Sequence, residues 1–227
     1  MSPEPPAIRG LFDRIAGRYD LLNSLLSFGL HHHWKRIAAV AAAVPPGALA
    51  LDVATGTGDI ARALAARGAG AVGLDFSRPM LAVARRRTAG ANTRFVLGDA
   101  LRLPFPDDTF AAATIGFTLR NVASRPRLFS EMARVTGPGG RVLALETSQP
   151  PHHLVRAAYH AYLRAATAAA PLLSDGPAYR HLADSVIAFP GAEEIAEELR
   201  AAGLRNVQFR RLFLGVLAVH IGEVAAR

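Results

Sequence analysis

The stretch from Leu49 to Ile60 restricts the fold more than any other part of the chain. Leu49-Ala50-Leu51-Asp52-Val53-Ala54 is a short apolar run, and Thr55-Gly56-Thr57-Gly58-Asp59 follows it directly. A run this short, bounded by glycine and leading into an apolar-periodic stretch, predicts a buried strand that turns into a helix. Gly56 and Gly58 let the backbone turn tightly and approach a ligand just ahead of the helix N-terminus.

The same alternation continues downstream. Strands are expected at 71–76, 95–97, 111–117 and 141–145, separated by helices at 60–66, 80–87 and 126–135. Gly68 stops one helix, and Gly137-Pro138-Gly139-Gly140 reads as a turn closing another. After Pro150-Pro151 an alanine-rich helix is expected over 152–173, then a helix over 193–202. Segments 207–213 and 217–223, around Gly215, form a closing antiparallel pair. Ahead of the first strand, residues 11–43 read as helical, with Phe12, Ile15, Tyr19, Leu22 and Leu26 at helical spacing and a break at Ser27-Phe28-Gly29. The expected architecture is one α/β domain over 1–227 with a doubly wound, mostly parallel seven-stranded sheet. Its parts are a helical cap (1–46), a cofactor-binding core (47–150), a substrate-side helical insertion (151–190) and a C-terminal helix with the strand pair (191–227).

Four acids fall near the strand ends of this plan. Asp52 and Asp59 flank the glycine loop. Asp75 ends the second strand, 19 residues after Gly56, where such sheets place an acid to hold ribose hydroxyls. Asp99-Ala100 ends the third, where a carboxylate meets an adenine edge. Gly56 to Ala61 also fits a looser dinucleotide pattern, so an NAD-binding oxidoreductase is a competing reading. Charge separates the two. Asp59 would repel a pyrophosphate at the helix N-terminus, whereas S-adenosylmethionine brings a sulfonium, an ammonium and no phosphate. The competing reading of Asp59 alone is a helix-capping acid.

The net charge of +8 leaves nucleic acid, an anionic membrane face or an acidic ligand open. Arginines are scattered, however, and Lys35 is the sole lysine, which fits a general compositional bias equally well. A nucleic-acid methyltransferase is therefore a further reading. Against it, residues 116–121 lack the Asn/Asp-Pro-Pro-aromatic loop of base-amino methyltransferases, and no dense basic cluster carries aromatics. The absence of cysteine excludes disulfides and thiolate metal sites. No signal peptide or membrane-spanning helix is expected, and a cytoplasmic location follows by default. His31-His32-His33 is not expected to bind a metal, because adjacent helical residues point in different directions.

Several blocks resemble the ubiquinone/menaquinone biosynthesis C-methyltransferase family. Tyr19-Asp20-Leu21-Leu22-Asn23, Ser27-Phe28-Gly29-Leu30-His31 and Trp34-Lys35-Arg36 are similar to its N-terminal signature, and Asp52 to Asp59 to its cofactor loop. Leu103 to Asp107, Gly116-Phe117-Thr118-Leu119-Arg120-Asn121 and Leu145-Glu146-Thr147-Ser148-Gln149-Pro150 are similar to later blocks. Tyr179, Leu182, Ser185, Phe189 and Pro190 match its C-terminal pattern. The resemblance implies a Rossmann-like class I methyltransferase that uses S-adenosylmethionine. It implies cofactor contacts at Thr57, Asp75, Asp99, Ala100 and Gly116, beside the loop residues Asp52, Gly56 and Gly58. Gly116 departs from the family's frequent serine, and Gly137 from its usual lysine. The substrate it implies is a polyprenylated quinol, most readily demethylmenaquinol, with peripheral contact at the inner face of the membrane. The oligomeric state stays open, a homodimer being one option.

A ring carbon ortho to a hydroxyl becomes nucleophilic as that hydroxyl loses its proton, and it must meet the methyl in line at about 3–3.5 Å. Arg120 is the candidate for stabilising the phenolate, the competing reading being a surface arginine paired with Asp107 or Asp108. His31 is the candidate general base, with a structural role beside Trp34 as its alternative. The helix over 152–173 places Leu154, Ala158, Tyr159, Tyr162 and Leu163 near one face, as an apolar wall for an isoprenoid chain or as ordinary core. The N-terminal segment is expected to fold over the cofactor.

Overall fold

The computed structural model describes residues 27, 29–169 and 183–226. The expected helical cap upstream of Ser27, with Phe12, Ile15 and Tyr19, lies outside the described residues, as do Tyr179 and Leu182 of the C-terminal pattern.

Seven strands form one sheet: β1 (Leu49–Val53), β2 (Gly70–Asp75), β3 (Thr93–Leu97), β4 (Phe110–Gly116), β5 (Thr136–Thr147), β6 (Arg205–Leu212) and β7 (Leu217–Glu223). Their order is β3-β2-β1-β4-β5-β7-β6. The first five pair in parallel; β7 is antiparallel to both β5 and β6. Strand order reverses between β1 and β4, which opens a crevice at the C-terminal ends of these two strands.

Six helices are named here: α1 (His31–Ala41), α2 (Asp59–Ala65), α3 (Arg78–Arg87), α4 (Arg125–Val135), α5 (His153–Ala169) and α6 (Ala192–Ala201). Local chemistry sets their starts. Ser77 and Ser124 cap α3 and α4 by accepting from the amides of Met80 and Arg127, and each of these helices has a proline in its first turn. Strand alternation divides the core between the two faces. Leu51, Val53, Val142 and Ala144 pack with Leu128, Phe129 and Ile195 of α4 and α6. Ala50, Leu143 and Leu145 pack with Ala38, Ile60 and Leu64 of α1 and α2.

Two expectations are corrected. The Gly137–Gly140 run does not end before the fifth strand; it lies within β5. Phe110 pairs with Thr136 and Ala112 with Arg141, so these residues bulge out between two paired positions. Gly140 is required there, since a Cβ would stand 2.7 Å from the Ala111 carbonyl oxygen. The third strand ends at Leu97, as its apolar run predicts, so Asp99 does not end it but stands two residues beyond, in an isolated bridge with Arg102.

Candidate active site

The glycine loop leaves β1 through a series of left-handed residues: Ala54 at φ 52°, Gly56 at φ 55° and Gly58 at φ 84°. A non-glycine residue held in this region stores strain, and such residues gather at functional sites. Asp52 anchors the loop. Its carboxylate accepts from the Thr55 hydroxyl at 2.6 Å, the Thr114 hydroxyl at 3.0 Å and the Ala61 amide at 3.2 Å. Burial pushes the Asp52 carboxyl up to about 6, against the pull of those hydrogen bonds. Asp75 joins β2 to the loop by accepting from the Gly56 amide at 2.8 Å and the Ser77 amide at 2.9 Å.

These residues line a narrow cleft. Asp52, Gly56, Thr57, Asp75 and Gly116, all expected from sequence, come together there, with Thr55, Ile60 and Met80 beside them. Gly58 stands behind the cleft as the N-cap of α2, where a Cβ would meet Ala84 at 3.1 Å and Phe95 at 3.3 Å. Asp99 and Ala100 lie beyond its lining, and Asp99 accepts from the Leu101 amide at 2.8 Å. At Gly116 a Cβ would stand 2.6 Å from Ile60 Cδ1, so Ile60 already fills the place of a serine side chain.

The donor set fits S-adenosylmethionine. The Gly56 amide, which would cradle a phosphate, is already given to Asp75, and the cleft carries two carboxylates. Asp59 does not contribute, contrary to the sequence reading. Its carboxylate meets Lys35 at 2.8 Å, Arg62 at 3.3 Å, His32 at 3.5 Å and Arg87 at 3.8 Å. Burial would raise Asp59, but Lys35, His32 and Arg87 outweigh it and hold the carboxyl below its ordinary range. The argument against a pyrophosphate therefore rests on Asp75 and the spent Gly56 amide.

A second cavity of about 480 Å³ lies beside the first and shares Lys35 and Phe117 with it. Its lining is largely apolar. Trp34 comes from α1, Val155, Ala158, Tyr159, Tyr162 and Leu163 from α5, and Phe213, Leu214 and Leu217 from the β6–β7 end. Four of the five residues expected to form an apolar wall are thus in place; Leu154 instead points to solvent at 63% exposure.

Arg120 and His31 both line this cavity. Arg120 sits on a 3-10 turn (Leu119–Asn121) just after β4, with its side chain only 8% exposed. It pairs with neither Asp107 nor Asp108. Its Nη1 donates to Glu146 Oε1 at 2.6 Å, and Arg134 takes Asp107. Glu146 is fully buried, and its Oε1 also accepts from the Thr147 amide and hydroxyl. Arg120 Nε and Glu146 Oε2 have no hydrogen-bond partner. His31 is buried, with Nδ1 at 2.9 Å from the Ser27 hydroxyl and Nε2 unpartnered. Burial, then the neighbouring Lys35 and His32 charges, lower His31 to about 4, so its ring is neutral at physiological pH. Burial pushes the Tyr159 phenol up to about 12, which keeps it a hydroxyl donor.

The directional argument against a metal at the histidine run does not hold. The His31 and His32 rings lie 3.9 Å apart, tilted by 37°, and converge with Asp59, their ligand atoms within 4.8 Å of one another. The cations crowded on Asp59 oppose a metal ion there.

Sequence reasoning passed over Lys35, Phe117 and Glu146 as site residues. A signal was present for two of them: Lys35 is the only lysine, and Glu146 is a lone acid ending an apolar strand.

The model of the ubiE/COQ5 methyltransferase family matches residues 3–224. The chain belongs to this family. Relatives named demethylmenaquinone methyltransferase include one from Thermus thermophilus, 44% identical over 94% of this chain and 99% of its own. Another, from Parafrankia sp., is 43% identical over 97% and 94%. Among solved structures, an S-adenosylmethionine-dependent methyltransferase from Thermotoga maritima aligns with a TM-score of 0.66 at 19% identity, over 95% of this chain and 98% of that one. The Haemonchus contortus phosphoethanolamine N-methyltransferase 2 in complex with S-adenosyl-L-methionine aligns at 0.61 and 16% identity, over 85% and 52%. The structural likeness establishes the class I methyltransferase fold. Family membership makes the chain an S-adenosylmethionine-dependent methyltransferase.

Proposed function

We propose that this ubiE/COQ5-family enzyme methylates a ring carbon of demethylmenaquinol to give menaquinol. The observation that carries the reading is the pair of cavities sharing Lys35 and Phe117: one acidic and glycine-walled, the other apolar with a buried arginine. The first suits a cationic donor, the second a polyprenylated ring. S-adenosylmethionine supplies an electrophilic methyl on a positive sulfur.

The chain's own residues do the rest. Asp75, at the end of β2 in the donor cleft, holds ribose hydroxyls. Thr57 and Gly116 complete the donor pocket, and Asp99 with Ala100 border the adenine. Arg120 presents fixed positive charge to the quinol oxygen and favours the phenolate; Glu146 keeps that guanidinium in place. Neutral His31 accepts the hydroxyl proton through Nε2. Methyl transfer to the ring carbon would break the methyl–sulfur bond and leave neutral S-adenosylhomocysteine; the ring proton would pass to solvent as aromaticity returns, and protonated His31 would return its proton to the quinol oxygen, one proton being released in all. Apolar walls around the ring exclude competing water. The enzyme meets its substrate as a peripheral protein at the inner face of the membrane.

The test is incubation with S-adenosylmethionine and reduced demethylmenaquinone or demethylated benzoquinol, with mass spectrometry of the products. Gain of one methyl on the naphthoquinol ring is expected. Methylation of the benzoquinol alone would move the enzyme to ubiquinone synthesis, and no product from either quinol would end the quinol reading.

A further inference from the structure

The mouth of the apolar cavity is framed by α5 and by the turn between β6 and β7. Phe213 and Leu214 form that turn and are 59% and 75% exposed. Both sit at positive φ, 47° and 57°. Two large apolar side chains held outward by strained backbone are not explained by core packing. Gly215 brings the turn to the start of α5, since a Cβ there would lie 2.7 Å from Pro151 Cδ. From Pro151 the chain enters α5, where Leu154, Ala157, Ala158, Ala161, Tyr162 and Ala165 repeat at helical spacing and are all exposed. The turn and the helix thus present one apolar rim around one opening.

Charge selects what covers this rim. The segments 147–174 and 201–222 contain no aspartate or glutamate, although the chain has 18 acids; α5 carries Arg156 and Arg164, and the end of β6 brings Arg210 and Arg211 towards the turn, Arg211 paired with Glu193. A second copy of the chain would bring the same arginines to the contact and be repelled. A lipid surface with anionic headgroups offers what the rim lacks: acyl boundary for the leucines and phenylalanine, phosphate for the arginines.

We infer that this rim docks on an anionic bilayer, with Phe213, Leu214 and the exposed α5 stripe entering the headgroup boundary and the cavity mouth facing lipid. The purpose of the docking rests on the quinol reading; the apolar rim and its charge do not. The experiment is flotation of the full chain with phosphatidylcholine vesicles, with and without phosphatidylglycerol, in the absence of quinol. Binding is expected only with phosphatidylglycerol and should weaken as salt rises. Leu154→Glu combined with Arg156→Glu, both outside the cavity lining, should weaken binding about 10-fold or more. Methylation of a short-chain soluble quinol should stay unchanged in that variant. Leu214→Glu should also lose the vesicles, with folding checked by its melting transition.

Wild-type protein that ignores anionic vesicles, or variants that bind as well as wild type, would overturn the inference. Light scattering that shows a dimer broken by Leu154→Glu, without vesicle binding, would overturn it in favour of a second copy. Vesicle binding without quinol methylation would remove the quinol reading and leave the docking face standing. Methylation of soluble quinol without vesicle binding would do the reverse.

Discussion

Arg120 reaches the apolar cavity with its charge already held by Glu146, so a phenolate formed beside it would need no side-chain reorganisation. Arg120→Gln should slow single-turnover methylation about 10²- to 10³-fold while S-adenosylmethionine affinity stays nearly intact. It should also destabilise the fold, because Glu146 is left buried and unpaired, at a cost of roughly 3–5 kcal/mol. Adding Glu146→Gln should recover much of the melting temperature and none of the rate; recovery of rate would make the arginine structural. Asp75→Ala should weaken S-adenosylmethionine binding by about 1.5–3 kcal/mol in calorimetry, and NADH should not compete. An unchanged affinity removes Asp75 from the ligand. His31 carries a pH signature. With its folded value near 4 against 6.5 unfolded, the unfolded chain binds the proton first. His31 therefore contributes stability fully above pH 6.5 and loses it as pH falls towards 4. His31→Asn should narrow the acid loss of melting temperature across that window. If His31 is the base, the acid limb of the rate profile lies near 4 rather than 6.5 and flattens in the variant. At this scale the sequence brought Asp75 to the donor cleft and Arg120 and His31 to the apolar cavity, because strand ends and motif blocks are local. It missed Glu146, whose role depends on a partner 26 residues away.

Among the elements, β1, its glycine loop and α2 were legible because their requirements are short-range: a buried strand, two left-handed glycines and an abrupt helix start. The substrate-side insertion was less so. Periodicity announced a helix after Pro151 but not what holds it, and one residue does much of that. Gln149 Nε2 faces the carbonyls of Val186, Ile187 and Phe189 at 2.9–3.2 Å, and its Oε1 lies 3.0 Å from His160 Nε2. It ties the end of the sheet to both α5 and the segment over 183–189, where Leu163 packs on Ala183 and Val186. Gln149→Ala should cost roughly 1–3 kcal/mol, because buried carbonyls lose their donor. Its kinetic effect should fall on the quinol KM while the cofactor Kd stays unchanged. A rise in cofactor Kd alone would show that the clamp serves the other cavity. The Gly137–Gly140 run was misread for a related reason: a bulge and a turn have the same composition, and only pairing with β4 tells them apart.

At the scale of the molecule, two faces of core packing around the sheet carry the fold. Removal of residues 1–26 should therefore leave a cooperative melting transition and abolish turnover; full activity in the truncated protein would show that the sequence-based cap is dispensable. The sequence by itself determined the class of fold. Apolar runs, glycine breaks and helical spacing alternate along it, and a buried parallel sheet is the arrangement that satisfies them all. It also determined that Asp52 and Asp75 stand at or next to the ends of their strands, since register within a strand is local, whereas Asp99 falls two residues past its own. Only the tertiary structure decided where charge goes. Asp59 stands one residue beyond the glycine loop, yet α1 folds against α2 and gives it to Lys35, Arg62 and Arg87, away from the ligand. Arg120 could be placed after its strand, but its burial against Glu146 needed β4 and β5 side by side. The meeting of the two cavities at Lys35 and Phe117 likewise joins residues far apart in the chain. Local pattern encodes backbone geometry, whereas electrostatic partnership depends on distances through space, which come into being only when the sheet closes.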